Sequence, residues 1–371
     1  MALKNPFLLK GYLDKHYFCN REKETTGLVN AITNSRNVTL ISLRRMGKTG
    51  LIYHTFAQLK KNYHCVYVDI LPTSTLAEFT ETFGKAVLNQ LENPYGKSVK
   101  QLLGIFKKFT PSLVIDPMTG QPSFEIQIKT ERESESTLED IFNYLKKRKE
   151  KVVIAIDEFQ QIAEYPEKKT EALLRSYIQN LTHIDFIFSG SQKHLLTQMF
   201  SQASRPFYQS TEFLFMDRID SVTYSKFILH HFSANQKKIK EKEIATIFEW
   251  TRLHTFYVQL ICHKLFVQPE KELTHEVLVR TLQDILTENE PYYIGYKNLL
   301  TGQQWGLLKA IAKEADVPKI NQKDFLNKYK LSASSVQRSI KALEERELIV
   351  QETNGYRVYD VFLGLWISLR F

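Results

Sequence analysis

Cysteine is scarce in this sequence, and the cysteines that occur lie far apart. There are three among 371 residues, Cys19, Cys65 and Cys262, and none belongs to a CxxC pair or to a Cys/His spacing typical of metal ligands. Neither a disulfide framework nor a zinc site is therefore indicated. This pattern is typical of a reducing compartment, and we expect a cytoplasmic protein.

Long apolar stretches are also missing. No run approaches the roughly 18 apolar residues that a membrane-spanning helix needs. The apolar run near the N-terminus is interrupted by Lys10 and Asp14, and no small-residue cleavage site follows, so a signal peptide is not predicted. No repeat, low-complexity tract or flexible linker stands out. We expect a soluble protein without a membrane span.

The composition that is present is typical of a folded globular protein, with 43% hydrophobic and 12% aromatic residues. A chain of 371 residues is too long for one ordinary core and predicts two or three domains. The net charge of +9 favours polyanionic partners, meaning nucleic acid, phosphates or an anionic membrane surface. A lysine-rich solvated surface explains the charge equally well.

Short β-branched runs recur in the first half of the chain, with helical patterns between them. They lie at residues 37 to 43, 65 to 71, 151 to 159 and 184 to 191. Such nearly continuous apolar runs suit strands buried on both faces, and their alternation with helices predicts a parallel sheet. Two alternating segments around a Pro- and Gly-containing turn predict a hairpin insertion near residues 110 to 130. After it, Ser136 or Thr137 is the expected N-cap of a helix.

The pattern changes twice in the second half of the chain. Residues 217 to 298 have helical periodicity, and β patterns disappear after residue 215. From Thr301, three helices are followed by two alternating strands around Asn354-Gly355, which is a strong hairpin signal. Three helices closed by a β-hairpin make a winged helix.

The segment "ISLRRMGKTG", residues 41 to 50, joins the first predicted strand to the next helix. It matches the phosphate-loop pattern G-x-x-x-x-G-K-[ST] at Gly47, Lys48 and Thr49, with Ser42 in place of the first glycine. In that pattern backbone amides surround phosphate oxygens, lysine contacts the β- and γ-phosphates, and the hydroxyl binds Mg²⁺. Ser42 suits the turn if its φ stays negative. The segment therefore predicts a site for the phosphates of a nucleotide and for Mg²⁺.

The two arginines of this loop are expected to add positive charge near the nucleotide. One of them could instead pair with Glu158 or Asp69. The loop residues expected to contact the nucleotide, besides the Gly-Lys-Thr residues, are Arg44, Arg45, Met46 and Gly50.

A second strand, "VVIAIDEF", ends in Asp157 and Glu158. The first carboxylate of such a pair orients hydrated Mg²⁺, and the second accepts a proton from the attacking water. The alternative is structural, with Asp157 as a helix N-cap and Glu158 as a favourable first-turn charge. The Gly-Lys-Thr loop in the same chain favours a nucleotide site. Glu158 and Lys48 are then the predicted catalytic residues, and Thr49 and Asp157 the predicted metal ligands.

A third strand end, "FIFSGSQ", carries three polar side chains. Ser189 and Gln192 are candidates for holding the lytic water or sensing the γ-phosphate, and Ser191 lies between them. Serine caps around a turn at Gly190 explain the segment equally well. Asp69, at the end of a strand expected to be central, is more simply explained as a cap.

Taken in order, these segments resemble the archaeal-type P-loop ATPases of prokaryotes, a branch of the STAND group within the AAA+-like ATPases. The resemblance spans nearly the whole chain and includes "NPF" at 5 to 7, "FCNREKE" at 18 to 24 and the closing "YRVYDVFLGLWI". It implies that Phe18, Arg21 and Glu24 lie beside the adenine. It also makes Ser42 an expected variant of the loop.

The resemblance implies the fold class: an α/β P-loop NTPase core with a parallel sheet, a helical lid and a C-terminal winged-helix domain. The corresponding ranges are residues 1 to 215, which include the adenine-side segment and the hairpin, 216 to 299, and 300 to 371. Two departures stand out. Leu253 and Thr255 replace the glycine and proline of a Gly-x-Pro element that faces nucleotide in the lid, and Val361 stands where relatives tend to have proline.

The function implied is that of an ATP-binding protein and Mg²⁺-dependent ATPase. In this hypothesis nucleotide binds between core and lid, and slow hydrolysis changes the position of the winged helix, as in a molecular switch. The alternatives are a hydrolysis-impaired scaffold, and a DNA-binding protein whose nucleotide site is regulatory. A protein partner or self-association is also compatible with the sequence.

The helix "SASSVQRSIKALEER" occupies the recognition-helix position of the predicted winged helix. One face is expected to be core, formed by Val336, Ile340 and Leu343. The other is expected to meet a DNA groove or only solvent, and consists of Ser334, Ser335, Gln337, Arg338 and Lys341. Glutamates at the end of the helix, Glu344, Glu345 and Glu347, would repel phosphates.

Overall fold

The computed structural model describes residues 5–92, 106, 111–115, 120–128, 130–352 and 354–371. The chain forms two compact units. We call Lys10–Arg218 the sheet unit, and Ile219–Phe371 with residues 5–9 the helical unit. The predicted domain boundaries at residues 216 and 300 stay predictions. The predicted segment 216–299 lies mostly in the helical unit, and the predicted segment 300–371 lies in it entirely.

The sheet unit is built on a five-stranded parallel sheet with the order β2-β5-β6-β1-β7. Its strands are β1 (Val38–Ile41), β2 (His64–Asp69), β5 (Val152–Asp157), β6 (Ile184–Gly190) and β7 (Glu212–Phe215). A separate antiparallel pair, β3 (Ser112–Ile115) and β4 (Pro122–Glu125), lies where the hairpin insertion was predicted. In the parallel sheet β6 therefore lies between β1 and β5.

The four predicted strands are confirmed, and burial explains why their sequences revealed them. Every residue of β5 and β6 is buried, which requires continuous apolar runs. The strand β7, "EFLF", was not predicted, because it lies at a sheet edge and is only partly buried. The opposite edge is β2, so the expectation that Asp69 ends a central strand is wrong.

Helices cover both faces of this sheet. On one face α1 (Glu22–Thr33) and α2 (Lys48–Leu59) pack with Val153 and Ala155 of β5. On the other face Ile154 and Ile156 of the same strand join a second apolar cluster. The helices of that second cluster are α3 (Leu76–Leu91), α4 (Glu131–Lys147), α5 (Thr170–Ile178) and α6 (Lys193–Ser201).

Helix α4 begins earlier than the sequence predicted. Its N-cap is Thr130, whose hydroxyl accepts a hydrogen bond from the Glu133 amide at 3.2 Å. Ser136 and Thr137, the expected caps, both lie inside the helix. The Ser136 hydroxyl donates to the Glu133 carbonyl at 3.0 Å, and Thr137 is buried. Hydroxyl residues mark helix starts, and here the cap was the earlier threonine.

The helical unit contains the remaining helices and two small β pairs. Its helices are α7 (Ser221–Ala234), α8 (Glu241–Thr251), α9 (Thr255–Phe266), α10 (His275–Leu299), α11 (Gly302–Glu314), α12 (Lys323–Tyr329), α13 (Ala333–Glu345) and α14 (Val361–Arg370). The parallel pair β8 (Lys238–Ile239) and β9 (Glu272–Leu273) contradicts a purely helical reading of residues 217 to 298. Strands of two residues are too short for a periodic signal. Among the described residues, no helix combines the length and apolar character needed to cross a membrane.

The first described residues are anchored in the helical unit. Phe7 is fully buried, with its ring centroid 4.8 Å from that of Phe232 and 6.3 Å from that of Phe266. The Asn5 amide donates to the backbone carbonyl of His263 at 2.9 Å. Residues 5–9 thus complete a core formed by α7 and α9.

The winged helix is observed as predicted. Helices α11, α12 and α13 are followed by the antiparallel pair β10 (Ile349–Glu352) and β11 (Gly355–Val358). Gly355 has φ +121, and a Cβ at this position would collide with the carbonyl oxygen of Val317. The turn and the close approach together require glycine.

The core face of α13 is as predicted, but its polar face needs one correction. Val336, Ile340 and Leu343 are buried. Ser335, expected on the exposed face, is also buried, and its hydroxyl donates to the Ser332 carbonyl at 2.9 Å. Its polar group is therefore used within the first turn of the helix.

The turn between α8 and α9 lies where the lid element was predicted, and we call it the lid turn. It has the backbone of a glycine-proline turn without those two residues. Arg252 and Leu253 have φ of +52 and +56, in the left-handed region that favours glycine. His254 is extended, with φ −74 and ψ 120, and Thr255 is the first residue of α9. Proline favours that first helical position, and it requires an extended residue before it.

Candidate functional site

The loop between β1 and α2 has the backbone of a tight turn. Arg45 and Gly47 have φ of +63 and +95. Ser42 is not among the residues with positive φ, so it meets the condition for replacing the first glycine. A Cβ at Gly47 would meet no atom within 4 Å, so the space beside the loop is open. An incoming group can therefore approach this part of the backbone.

Helix α2 begins at the predicted lysine. Gly47 is its N-cap, and among the described residues no side chain caps the first amides. Free amides and the helix dipole together favour an anion at this end. The Lys48 side chain beside them is buried, with 6% exposure, and makes no hydrogen bond or ion pair to any other described residue.

Burial sets the electrostatics of this lysine. Desolvation lowers the pKa of the Lys48 ammonium, the nearby carboxylates of Glu158 and Asp157 oppose that shift, and the Arg44 charge adds to it. A buried ammonium without a hydrogen-bonded partner is costly, and an anion placed beside it removes that cost. The site therefore fits a phosphate group.

Asp157, at the end of β5, accepts four hydrogen bonds. Its Oδ2 accepts from the Thr49 hydroxyl at 2.9 Å and from the Tyr67 hydroxyl at 2.8 Å. Its Oδ1 accepts from the Ser189 hydroxyl at 2.5 Å and from the Glu158 amide at 3.1 Å. A carboxylate has about four acceptor positions, so this set saturates it. The two residues predicted to hold the metal, Thr49 and Asp157, are thereby in direct contact.

Tyr67 was missed by sequence reasoning. It lies on β2, which pairs with β5, and its ring centroid is 5.0 Å from that of Tyr53 on α2. Burial and the Asp157 charge raise the pKa of its phenol, so the hydroxyl stays a proton donor. The sequence places Tyr67 near the end of a predicted strand. This position indicates a contact with Asp157 only once β2 is known to pair with β5.

Glu158 does not cap a helix with its side chain. It is the N-cap residue of the 3-10 helix Phe159–Glu164, with φ +56, and makes no side-chain cap bond. Its Oε2 instead accepts from the amide and the hydroxyl of Ser191, at 3.0 and 2.8 Å, and from the Gln160 amide nitrogen at 2.7 Å. Both acidic side chains therefore bond to residues around the end of β6, and the capping alternative does not describe them.

The two predicted sensor residues, Ser189 and Gln192, lie in different environments. Ser189 reaches the candidate metal ligand Asp157, as described above, and is fully buried. Gln192 is exposed and is the N-cap residue of α6, without a side-chain cap bond. Ser191, the third polar residue of the same predicted strand end, contacts the candidate base Glu158.

The N-terminal segment approaches the first turn of α2. A Cβ at Gly50 would lie 3.5 Å from the Phe18 ring. The Phe18 ring stacks on His54, with centroids 4.4 Å apart and an interplanar angle of 20°. The Tyr12 hydroxyl is 2.9 Å from His54 Nδ1. An aromatic cluster of Tyr12, Phe18 and His54 thus lies against the helix that begins at the loop.

The Arg21 side chain connects its own segment by hydrogen bonds to the phosphate-loop segment and to Asp217. It is buried, has φ +63, and its guanidinium bonds Glu24 at 3.0 Å and the Met46 carbonyl at 3.4 Å. It also donates to the carbonyl of Asp217. The adenine-side element predicted from the sequence is therefore attached directly to the loop.

The other predicted residues lie around the same loop. Arg44 and Arg45 are exposed, and Met46 is buried. Asp69 is exposed, and its Oδ1 accepts a hydrogen bond from the Leu71 amide at 2.9 Å, as expected of a cap. The carboxyl group itself is partly desolvated, which raises the pKa of Asp69. The hydrogen bond from the Leu71 amide opposes this shift, and the charges of Asp157 and Glu158 add to it.

Two family models match the chain. One, described as "ATPase domain predominantly from Archaea", matches residues 18–253, and the other, "Probable winged helix domain", matches residues 291–369. No curated protein matches. The predicted α/β core and the C-terminal winged helix agree with both models.

Solved structures are similar over almost the full length. A Walker-type ATPase of Pyrococcus abyssi has a TM-score of 0.66 at 17% identity, covering 98% of this chain and 99% of that one. The ORC2 protein of Aeropyrum pernix, in ADPNP-ADP complexes, has 0.59 at 14%, covering 100% and 98%. The ORC1 protein of Aeropyrum pernix, in complex with DNA, has 0.51 at 12%, covering 95% and 93%. At these identities the likeness concerns the fold.

Proposed function

The chain belongs to the family of ATPase domains found predominantly in Archaea, and from this premise we propose that it binds ATP with Mg²⁺, hydrolyses it and acts as a nucleotide-driven molecular switch. One observation carries the proposal. Lys48 is buried at the start of α2 and has no bonded partner among the residues that the structure describes, so phosphate would complete its environment. A cytoplasmic location is part of the same proposal.

Each residue has a definite part in this mechanism. The α2 amides and Lys48 bind phosphate oxygens. The Thr49 hydroxyl donates a hydrogen bond to Asp157, which leaves its oxygen lone pairs available to a cation. When bound, Mg²⁺ supplies positive charge that stabilises the developing charge on the phosphates. Glu158 accepts a proton from water through its Oε1 atom.

We further propose that the chain falls in the STAND group of AAA+-like ATPases. The placement of β6 between β1 and β5 supports this, because it brings a polar strand end to the carboxylates. Ser189 and Ser191 then report on the phosphate end of the site through Asp157 and Glu158.

ATP turnover by three proteins tests the catalytic part. We expect Mg²⁺-dependent turnover in the wild type, loss of ATP binding in Lys48→Ala, and retained binding in Glu158→Gln. Because removal of a general base typically costs 10²- to 10⁴-fold, kcat of Glu158→Gln should fall by about 100-fold or more. ATP turnover by Lys48→Ala at the wild-type rate would contradict the proposal.

The switch is tested separately from the chemistry. Hydrogen exchange of residues 300–371 is measured in Glu158→Gln with ATP and with ADP. A difference between the two nucleotides is expected if the winged helix responds to the state of the loop. Identical exchange in both states, with both nucleotides bound, would rule out the switch.

A second candidate function is DNA binding through α13. Ser334, Gln337, Arg338 and Lys341 are exposed on this helix, and the chain carries a net charge of +9. Duplex DNA binding at low salt should weaken as salt rises, and Arg338→Ala with Lys341→Ala should reduce the salt slope by about one to two. Lys242→Ala, an exposed charge on α8, is the matched control. Equal binding by both variants excludes α13 as the contact.

A further inference from the structure

The Glu158 carboxylate is held on one oxygen only. Its Oε2 accepts three hydrogen bonds, two from Ser191 and one from Gln160, all between 2.7 and 3.0 Å. Within the described part of the chain, Oε1 accepts none. The two oxygens of one side chain are therefore in different environments, and only Oε1 is available to a water molecule.

The position of the Gln160 side chain is unfavourable for the stability of the fold. The side chain is buried, with 3% exposure, and its Oε1 finds no hydrogen-bond partner within the described residues. Burying an unpaired amide oxygen costs free energy that an apolar side chain of similar volume would not cost. In the part of the chain that the structure describes, the only hydrogen bond of this side-chain amide is the one to Glu158.

The neighbouring backbone is shaped around this amide. A Cβ on Gly190, the last residue of β6, would collide with Gln160 Oε1. Glu158 itself has φ +56, a conformation that non-glycine residues rarely adopt. Both features bring the carboxylate, the amide and the Ser191 hydroxyl together.

We propose that Gln160 and Ser191 form a clamp that fixes Oε2 of Glu158 and aims Oε1 at the attacking water. The terminal torsion of a glutamate is soft, so an unclamped carboxylate rotates and loses its alignment. Both are positioning residues, because they act through Glu158 and not on the nucleotide. The inference rests on the proposed ATPase function.

The test separates kcat from nucleotide binding. Gln160→Met keeps the volume and removes the amide, Ser191→Ala removes the hydroxyl, and Gly190→Ala displaces Gln160. Each should lower kcat about 10-fold, and the Gln160→Met/Ser191→Ala pair about 100-fold, with the Kd for ATPγS unchanged. The melting temperature of Gln160→Met should equal or exceed that of the wild type, because an unpaired buried amide oxygen is removed. That of Gly190→Ala should fall, because its Cβ crowds the buried side chains around it. Ser191→Thr keeps a hydroxyl and should restore most of the activity. Gln161→Met is the matched control and should leave kcat at the wild-type value.

Combination with Glu158→Gln distinguishes positioning from a general structural role. If the clamp acts only through Glu158, adding Gln160→Met to Glu158→Gln lowers kcat no further. Full additivity of the two losses overturns the proposal. So does wild-type kcat in Gln160→Met and Ser191→Ala while Glu158→Gln is inactive. Absence of ATP turnover in the wild type, or a kcat that Glu158→Gln leaves unchanged, would count against the proposed function instead.

Discussion

Three non-glycine residues of the candidate site have positive φ. Arg21, Arg45 and Glu158 have φ of +63, +63 and +56, and all are bulky L-residues. Each such residue costs roughly 1 kcal/mol or more, so tertiary contacts must hold it there. For Arg21 these contacts include Glu24 and the Met46 carbonyl. The motif predicted which residues meet, but the strain could not be predicted, because it depends on contacts from distant segments.

The sequence predicted the motif residues of the site but not all of the residues that bond to them. Lys48, Thr49 and Asp157 were found because their types and spacing are dictated by phosphate and Mg²⁺ chemistry. Tyr67 and Gln160 were not found. Their roles depend on strand register and on the direction of one turn, neither of which leaves a local pattern.

Asp185 carries a prediction at the residue scale. It is buried in β6, and burial raises the pKa of its carboxyl to about 6, with Lys151 opposing the shift. Since this pKa lies above its value in the unfolded chain, the folded state binds the proton more tightly. The favourable contribution of Asp185 to stability is therefore fully present below about pH 4, is lost as pH rises through about 6, and is constant above that.

Asp185→Asn should accordingly stabilise the protein at pH 8. A shift of this size is worth at most about 3 kcal/mol, and partial hydration of the carboxylate brings the expected gain nearer 1 kcal/mol. Urea unfolding of both proteins at pH 5 and pH 8 measures it, with the exposed Asp324→Asn as control. A gain at pH 5 that exceeds the gain at pH 8 would contradict the assignment.

At the scale of elements, burial decided what the sequence could predict. The strands β1, β5 and β6 are buried and were found from apolar runs. The edge strand β7 and the pair β8 and β9 were not, since their pairing depends on distant partners. Helix α14 was not predicted as a helix either, because a short apolar run does not distinguish helix from strand.

The lid turn leads to a prediction at the same scale. Thr255→Pro should be neutral or stabilising by up to about 1 kcal/mol, because Thr255 starts α9 and His254 is already extended. The Thr255 carbonyl, which accepts from the Tyr224 hydroxyl at 3.4 Å, is kept by proline.

Val258→Pro is the contrasting substitution in the interior of the same helix. It should cost about 3 kcal/mol or more, because proline there removes a helical hydrogen bond. Thermal unfolding of the two variants checks both values. Equal destabilisation by both would show that the lid turn lacks the backbone described.

At the scale of the whole molecule, nucleotide should stabilise the two units unequally. The loop, α2 and both carboxylates belong to the sheet unit, so ligand binding is linked to the unfolding of that unit. At a nucleotide concentration 100 times Kd the gain is about 2.7 kcal/mol. Calorimetry of the wild type and Lys48→Ala, with and without Mg²⁺ and ATPγS, measures it. An equal gain in Lys48→Ala would place nucleotide elsewhere.

The anchoring of residues 5–9 has a consequence for synthesis. Asn5 bonds to the carbonyl of His263, a separation of 258 positions, so the earliest residues bind to a late segment. At about 5 to 20 residues per second, they wait on the order of 10 to 50 s for that partner to leave the ribosome. During this time the sheet unit can fold while Phe7 stays exposed to water and to chaperones.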